Sequence, residues 1–200
     1  MTSMSKKAVY ILGLFESEDN ALFSHIQSAL KHKNIHCFAI ELYSKSSFGS
    51  YSFKTEVDRI AKELEEICPD IVLAHSLGAY TLMQIPMDYE VILLDPSLPI
   101  SVIIMSNLKE INGTYWYDDE TTRLPLSLNF IESLKLMPPI EELVGKKNKS
   151  VSIFGAENGG QMIAAKYHQH IPYSKYTCIK NADHNFTNQN HRNQILNFIK

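Results

Sequence analysis

Short apolar-rich runs alternate along this chain with longer segments in which apolar residues recur every three or four positions. The runs are Ala8–Leu12, Cys37–Leu42, Ile71–Ala74, Val91–Leu94, Val151–Phe154 and Tyr176–Ile179. Runs of this length, bounded by turn residues, predict buried strands. Between them, Ala21, Leu22, Ile26 and Leu30 mark one face of a helix over Asp19–Lys31. Phe53, Val57, Ile60, Ala61, Leu64 and Ile67 mark another, ended near Pro69. Shorter helices are predicted over Ala79–Met83, stopping near Pro86, over Ile163–His168 and over Asn190–Ile199. Strand–helix alternation implies right-handed crossovers and a mostly parallel sheet with helices on both faces.

Residues 98–149 break the rhythm. They carry Ile100–Met105, the aromatic run Tyr115-Trp116-Tyr117 and a predicted helix around Leu126–Leu136. Aromatic and methionine side chains suit a lid over an apolar pocket. We therefore expect one domain over 1–200 with 98–149 as a lid insertion, and Met105, Tyr115, Trp116 and Tyr117 as candidate substrate-binding residues. There are no repeats and no low-complexity tract.

Composition narrows the function classes. The chain has 200 residues, 44% hydrophobic and 20% charged, as a globular domain with a substantial core requires. A net charge of -3 argues against a nucleic-acid or anionic-membrane surface. The run Lys146-Lys147-Asn148-Lys149 reads as a solvated loop. Cys37, Cys68 and Cys178 are far apart and odd in number, so buried free thiols and a reducing, cytoplasmic compartment are expected. No cysteine pair has zinc spacing, and no metal or cofactor is expected. Lys6-Lys7 and the apolar stretch after them resemble a signal peptide, but Glu16, Glu18 and Asp19 follow at once, and a first strand fits better. No run approaches the ~18 apolar residues of a membrane helix.

The chemistry gathers at predicted strand ends. Ala74-His75-Ser76-Leu77-Gly78 lies between a strand and a helix, a G-x-S-x-G pattern with alanine in the first glycine's place. A serine on so tight a turn needs small neighbours and stands above the sheet, where a histidine can reach it. Asn181-Ala182-Asp183-His184-Asn185-Phe186 follows the last strand and supplies that histidine, His184. Imidazole there takes the serine proton and returns it to the leaving group. In open parallel sheets reactive groups meet beyond the carboxyl ends of the strands. Asp95, Glu157 and Asn158 also fall there. His75 should point away from Ser76 and be structural, and Asp183 reads as a turn former.

On these two motifs, and on a strand order interrupted after Val91–Leu94, nearly the whole chain resembles the α/β-hydrolase superfamily in its small form. The resemblance implies a three-layer α/β-hydrolase-like sandwich with a mostly parallel central sheet. It implies Ser76 as nucleophile, His184 as base, and the backbone N–H groups of Leu77 and Leu14 as the oxyanion hole. Leu12-Gly13 stands where the family usually has His-Gly, which leaves the backbone donors in place. The acid departs from the pattern: the usual Gly-x-x-Asp is here Gly155-Ala156-Glu157-Asn158. Asparagine can orient an imidazole but offers its charged form no counter-charge. Glu157 is the favoured acid, with Asp95 or Asn158 itself as alternatives. The implied activity is hydrolysis of a small or acyl ester or thioester through an acyl-enzyme. The alternatives are a catalytically weak or inactive relative that binds a small ligand or protein partner, and an acyltransferase using the same serine. A serine nucleophile argues against dehalogenase chemistry.

Overall fold

The alternation seen in the sequence builds one six-stranded sheet. The computed structural model describes residues 6–43, 48–50, 52–86, 88–143 and 150–199; the lysine run at 146–149 lies outside them. The strands are β1 (Lys6–Leu14), β2 (Ile35–Leu42), β3 (Ile71–His75), β4 (Glu90–Leu94), then β8 (Ser150–Asn158) and β9 (Lys175–Asp183) beyond an insertion. Their order across the sheet is β2-β1-β3-β4-β8-β9, and every neighbouring pair is parallel.

Burial on both faces explains why the strands read as continuous apolar runs. Val9, Ile11, Val72, Ala74, Val91, Leu93, Val151 and Ile153 join one buried cluster; Ala8, Tyr10, Leu12, Ile71, Leu73, Ile92, Leu94 and Phe154 join the other. The second face is covered by α1 (Ala21–His32) and α7 (Gln189–Leu196), through Leu22, Phe23, Ile26, Leu30 and Ile195. Each such side chain contributes roughly 1.5–3 kcal/mol when buried. The first face carries α2 (Phe53–Ile67), α3 (Leu77–Leu82) and α6 (Gln161–His170). The fold is a three-layer α/β sandwich.

Capping sets the helix starts. Asn20 Oδ1 accepts the N–H groups of Leu22 and Phe23, so α1 begins at Ala21 and not at Asp19. Strands β8 and β9 outrun the predicted ends at Phe154 and Ile179. They stay paired through Gly155–Cys178 and Ala156–Ile179 to Asn158–Asp183. The extension is made mostly of polar and small residues, Gly155–Asn158 and Lys180–Asp183, so apolar patterning could not reveal it. Edge position also corrects the thiol reading: Cys37 is buried, but Cys178 on β9 and Cys68, which caps α2 in a left-handed conformation, are exposed.

The insertion after β4 keeps the expected helix near Leu126–Leu136 and adds a second sheet. Between α4 (Ile100–Ser106) and α5 (Leu128–Leu134), β5 (Leu108–Ile111), β6 (Thr114–Asp118) and β7 (Arg123–Leu126) form an antiparallel sheet. Tyr117 and Leu126 enter the first core cluster, with Tyr115 and Leu124 packed against it. No helix of the described residues is long and apolar enough to cross a membrane.

Candidate active site

Ser76 sits between the end of β3 and the start of α3, with φ 51° and ψ -120°. A non-glycine residue there stores about 1–3 kcal/mol of strain, which the surroundings must hold. They do so through Ser76 N–H to Leu94 O at 3.0 Å, and through Ser76 O, which accepts Ala79 N–H and Ser97 N–H at 3.1 Å. Gly78 lets α3 lie directly on β1. A β-carbon at this position would stand 2.5 Å from Leu12 O and 2.6 Å from Ile11 O. The N–H of Leu77 opens α3 and has no acceptor within the helix. Leu14, at the end of β1, lines the cavity onto which Ser76 opens.

His184 follows β9 directly. Ser76 Oγ–H donates to its Nε2 at 3.0 Å, and its Nδ1–H donates to Asp95 Oδ2 at 2.5 Å. A carboxylate on one side and a hydroxyl on the other fix the tautomer in which Nε2 is free to take a proton. Asp95 caps β4, is fully buried, and takes a positive φ of 40°. Its Oδ1 accepts Ala156 N–H and its Oδ2 accepts Gly160 N–H, both at 2.8 Å. These bonds hold a desolvated carboxylate in place facing the imidazole.

The favoured acid is therefore corrected. Glu157 Oε2 accepts Asn181 N–H at 2.7 Å and ties β8 to β9, away from His184. Asn158 is exposed and pairs in register with Asp183. Strand β8 does not end at Gly155. It carries both residues past the position where an acid could meet the ring, and Asp95, one strand nearer Ser76, takes that place. Gly159-Gly160 is the signal that sequence reasoning missed. A β-carbon on Gly159 would lie 2.8 Å from Asp95 Oδ2 and 2.9 Å from His184 N.

His75, expected to be structural, enters a defined network whose partner Glu16 escaped the sequence reading, as did Arg192. Its Nδ1 lies 2.8 Å from Glu16 Oε1 and its Nε2 lies 2.9 Å from His184 O. Burial would lower the His75 pKa, but the hydrogen bond and charge of Glu16, the His184 carbonyl and Asp95 raise it on balance. Burial would raise the Glu16 carboxyl; the hydrogen bond and charge of His75, the Gly13 N–H and His184 outweigh it, and the pKa is lowered. Arg192 bonds the carbonyls of Phe186, Thr187 and Ala21, fastening the His184 loop to α1.

A cavity of about 530 Å³ opens beside Ser76 and His184, walled by residues 13–17, the start of α1, Asn185, Thr187 and Arg192. Met105, Tyr115, Trp116 and Tyr117 do not line it. The insertion turns its sheet onto the core, so Tyr117 is buried, while Met105 is 59% exposed and Trp116 packs under Arg123. Only Tyr117 comes near, with its ring centroid 6.2 Å from that of Phe15, which does line the cavity. Among the described residues no group of three His, Cys, Asp or Glu could hold a metal ion.

The sequence matches no family model, and no curated protein sequence matches it. Solved structures do match. Est1E from Butyrivibrio proteoclasticus, with ferulic acid bound, is similar at a TM-score of 0.75 and 15% identity, over 98% of this chain and 86% of that chain. The esterase domain of a Rhodothermus marinus protein gives 0.69 at 16% identity, over 99% and 86%. Mouse alpha/beta hydrolase domain-containing protein 10 gives 0.69 at 13% identity, over 100% and 90%. Together with the sheet order, these likenesses establish the fold: this chain has the α/β-hydrolase fold.

Proposed function

We propose that this chain is a serine hydrolase that cleaves an ester through an acyl-enzyme. The single observation that carries the assignment is the unbroken line Ser76 Oγ–His184 Nε2, 3.0 Å, and His184 Nδ1–Asp95 Oδ2, 2.5 Å. His184 takes the Ser76 proton as Oγ attacks the carbonyl carbon, and buried Asp95 stabilises the imidazolium that forms. The oxyanion is assigned to the N–H groups of Leu77, which has no acceptor within α3, and of Leu14, which lines the cavity beside Ser76. His184 returns the proton to the leaving group, and a water repeats the sequence to free Ser76. A carboxylate on His184 Nδ1, with Asn158 elsewhere, supports an active enzyme over a weak or inactive relative. The esterases among the structural neighbours point the same way. The cavity favours a small acyl or leaving group with polar substituents, since Asn20, Asn185, Thr187 and Arg192 line it. A fluorophosphonate probe tests the assignment: intact mass should rise by one adduct, absent in Ser76→Ala. An adduct that survives that substitution, or none on the unaltered protein, would overturn it.

A further inference from the structure

The three loops that build the candidate site come from distant parts of the chain, and one pair of side chains touches all of them. Glu16 Oε2 accepts Gly13 N–H at 2.6 Å, in the loop that carries Leu14. Its Oε1 faces His75 Nδ1 at 2.8 Å and accepts Asn20 Nδ2–H at 3.1 Å, at the cap of α1. His75 immediately precedes Ser76, and its Nε2 lies 2.9 Å from the carbonyl of His184 itself. The two imidazole rings are 4.8 Å apart between centroids. Side-chain exposure is 0% for His75 and 14% for Glu16.

We propose that Glu16 and His75 form a positioning clamp, a buried ion pair that holds the oxyanion loop, the nucleophile elbow and the catalytic histidine in mutual register. This rests on the serine-hydrolase reading above. The protonation follows from the partners. A carbonyl oxygen can only accept, so His75 Nε2 carries a proton. An ionised carboxylate can only accept, so Nδ1 carries one too. The raised His75 and lowered Glu16 pKa values agree with that state. Glu16 also explains how a second imidazolium is tolerated so near His184, because its negative charge cancels that of His75. Its approach is close: a β-carbon on Gly13 would lie 3.0 Å from Glu16 Cδ and 3.2 Å from Ser76 Cβ. Neither Glu16 nor His75 exchanges a proton with substrate. They act through Gly13 and His184.

A misplacement of about 1 Å at a reacting group costs up to ~10²-fold in rate. Glu16→Ala should therefore lower kcat by about 10- to 100-fold on an activated aryl ester, with KM and the circular dichroism spectrum unchanged. Glu16→Gln keeps an acceptor for Gly13 N–H and a donor for a neutral His75 Nδ1, leaving Nε2–H on the His184 carbonyl, and loses only the bond from Asn20 Nδ2. It should recover part of the lost kcat. His75→Phe should cost about as much as Glu16→Ala, and the double variant little more than either, because both remove one clamp. Wild-type kcat in Glu16→Ala, a loss confined to KM, or additive losses in the double variant would each overturn the clamp. If His75→Phe does not fold, nitrogen NMR of ring-labelled histidine in the wild type still decides: both His75 nitrogens should be protonated across the neutral range, and an unprotonated one refutes the ion pair. The arms separate the two claims. Failure of fluorophosphonate to label wild-type Ser76 overturns the hydrolase reading and the clamp's purpose with it. Labelling of wild type alongside full activity in Glu16→Ala overturns the clamp alone.

Discussion

Asp95→Asn isolates the assigned acid with almost no change in shape. The carboxylate has three partners, all donors: Ala156 N–H, Gly160 N–H and His184 Nδ1–H. An amide offers one acceptor oxygen and one donor nitrogen, so at least one donor must face a donor. If the oxygen stays on Ala156, the amide N–H₂ confronts both Gly160 N–H and His184 Nδ1. The imidazole then adopts the other tautomer, and Nε2 carries a proton and cannot take one from Ser76. Loss of the charge adds to this. A unit charge about 4 Å from the imidazolium is worth ~4 kcal/mol at an effective dielectric of ~20. At ~1.4 kcal/mol per factor of ten, that is a loss of about 10³-fold, close to the ~10⁴ known for the same substitution in a serine protease. The unpaired N–H costs a further ~1–3 kcal/mol of stability, so the melting temperature should fall by several degrees in a chain of this size. The assay is kcat/KM on an activated aryl ester, with melting by circular dichroism in parallel. A loss below about tenfold, or a larger loss in Glu157→Gln, would show that Asp95 is not the acid.

Three further outcomes follow from the geometry. Gly159→Ala places a β-carbon 2.8 Å from Asp95 Oδ2 and 2.9 Å from His184 N; kcat should drop by up to ~10²-fold, and unchanged kcat would mean that the loop yields freely. Trp116→Ala loses its contact with Arg123, worth ~0.5–1 kcal/mol at an exposed site, and should leave the dependence of kcat/KM on acyl length intact; a changed preference would return the insertion to the substrate site. The Glu16–His75 pair sets a pH window for stability. The lowered Glu16 pKa contributes stability that is present above about pH 4.3 and is lost as pH falls through the folded value. The raised His75 pKa contributes stability that is complete below about pH 6.5 and is lost as pH rises through the folded value. The melting-temperature gap between wild type and Glu16→Ala should be widest between those limits, and a gap constant with pH would contradict the ion pair.

Most of the fold was legible because two-sided burial writes each central strand as an apolar run. Ser76 and His184 were legible for a related reason. The elbow needs Gly78 beneath it, and the histidine needs a loop straight after the last core strand. Which acidic or amide side chain meets His184 was not legible, because three candidates, Asp95, Glu157 and Asn158, stood just beyond predicted strand ends and the choice depends on where β8 stops. Its polar end, Glu157-Asn158, has no apolar signature, so the expected partner of His184 lay one strand beyond Asp95, the carboxylate that meets its ring. Gly159-Gly160 held the clue, since a β-carbon on these residues would stand 2.8 and 3.0 Å from Asp95 Oδ2. The insertion misled for another reason. Its aromatic residues signal burial, but not against what, and Tyr115 and Tyr117 pack on the core and not over Ser76. Glu16 lay only three residues past Gly13, and nothing in its spacing pairs it with His75, 59 residues further on.

The central claim is a covalent acyl-enzyme on Ser76, and trapping it is the direct measurement. The protein is mixed with an activated aryl ester, quenched in acid within the first turnovers, and its peptides are weighed. One acyl group should appear on the peptide containing Ser76, should accumulate in a burst of released phenol, and should be absent from Ser76→Ala. Steady ester turnover with no acyl group on that peptide, or an acyl group on any other residue, would contradict the assignment of Ser76.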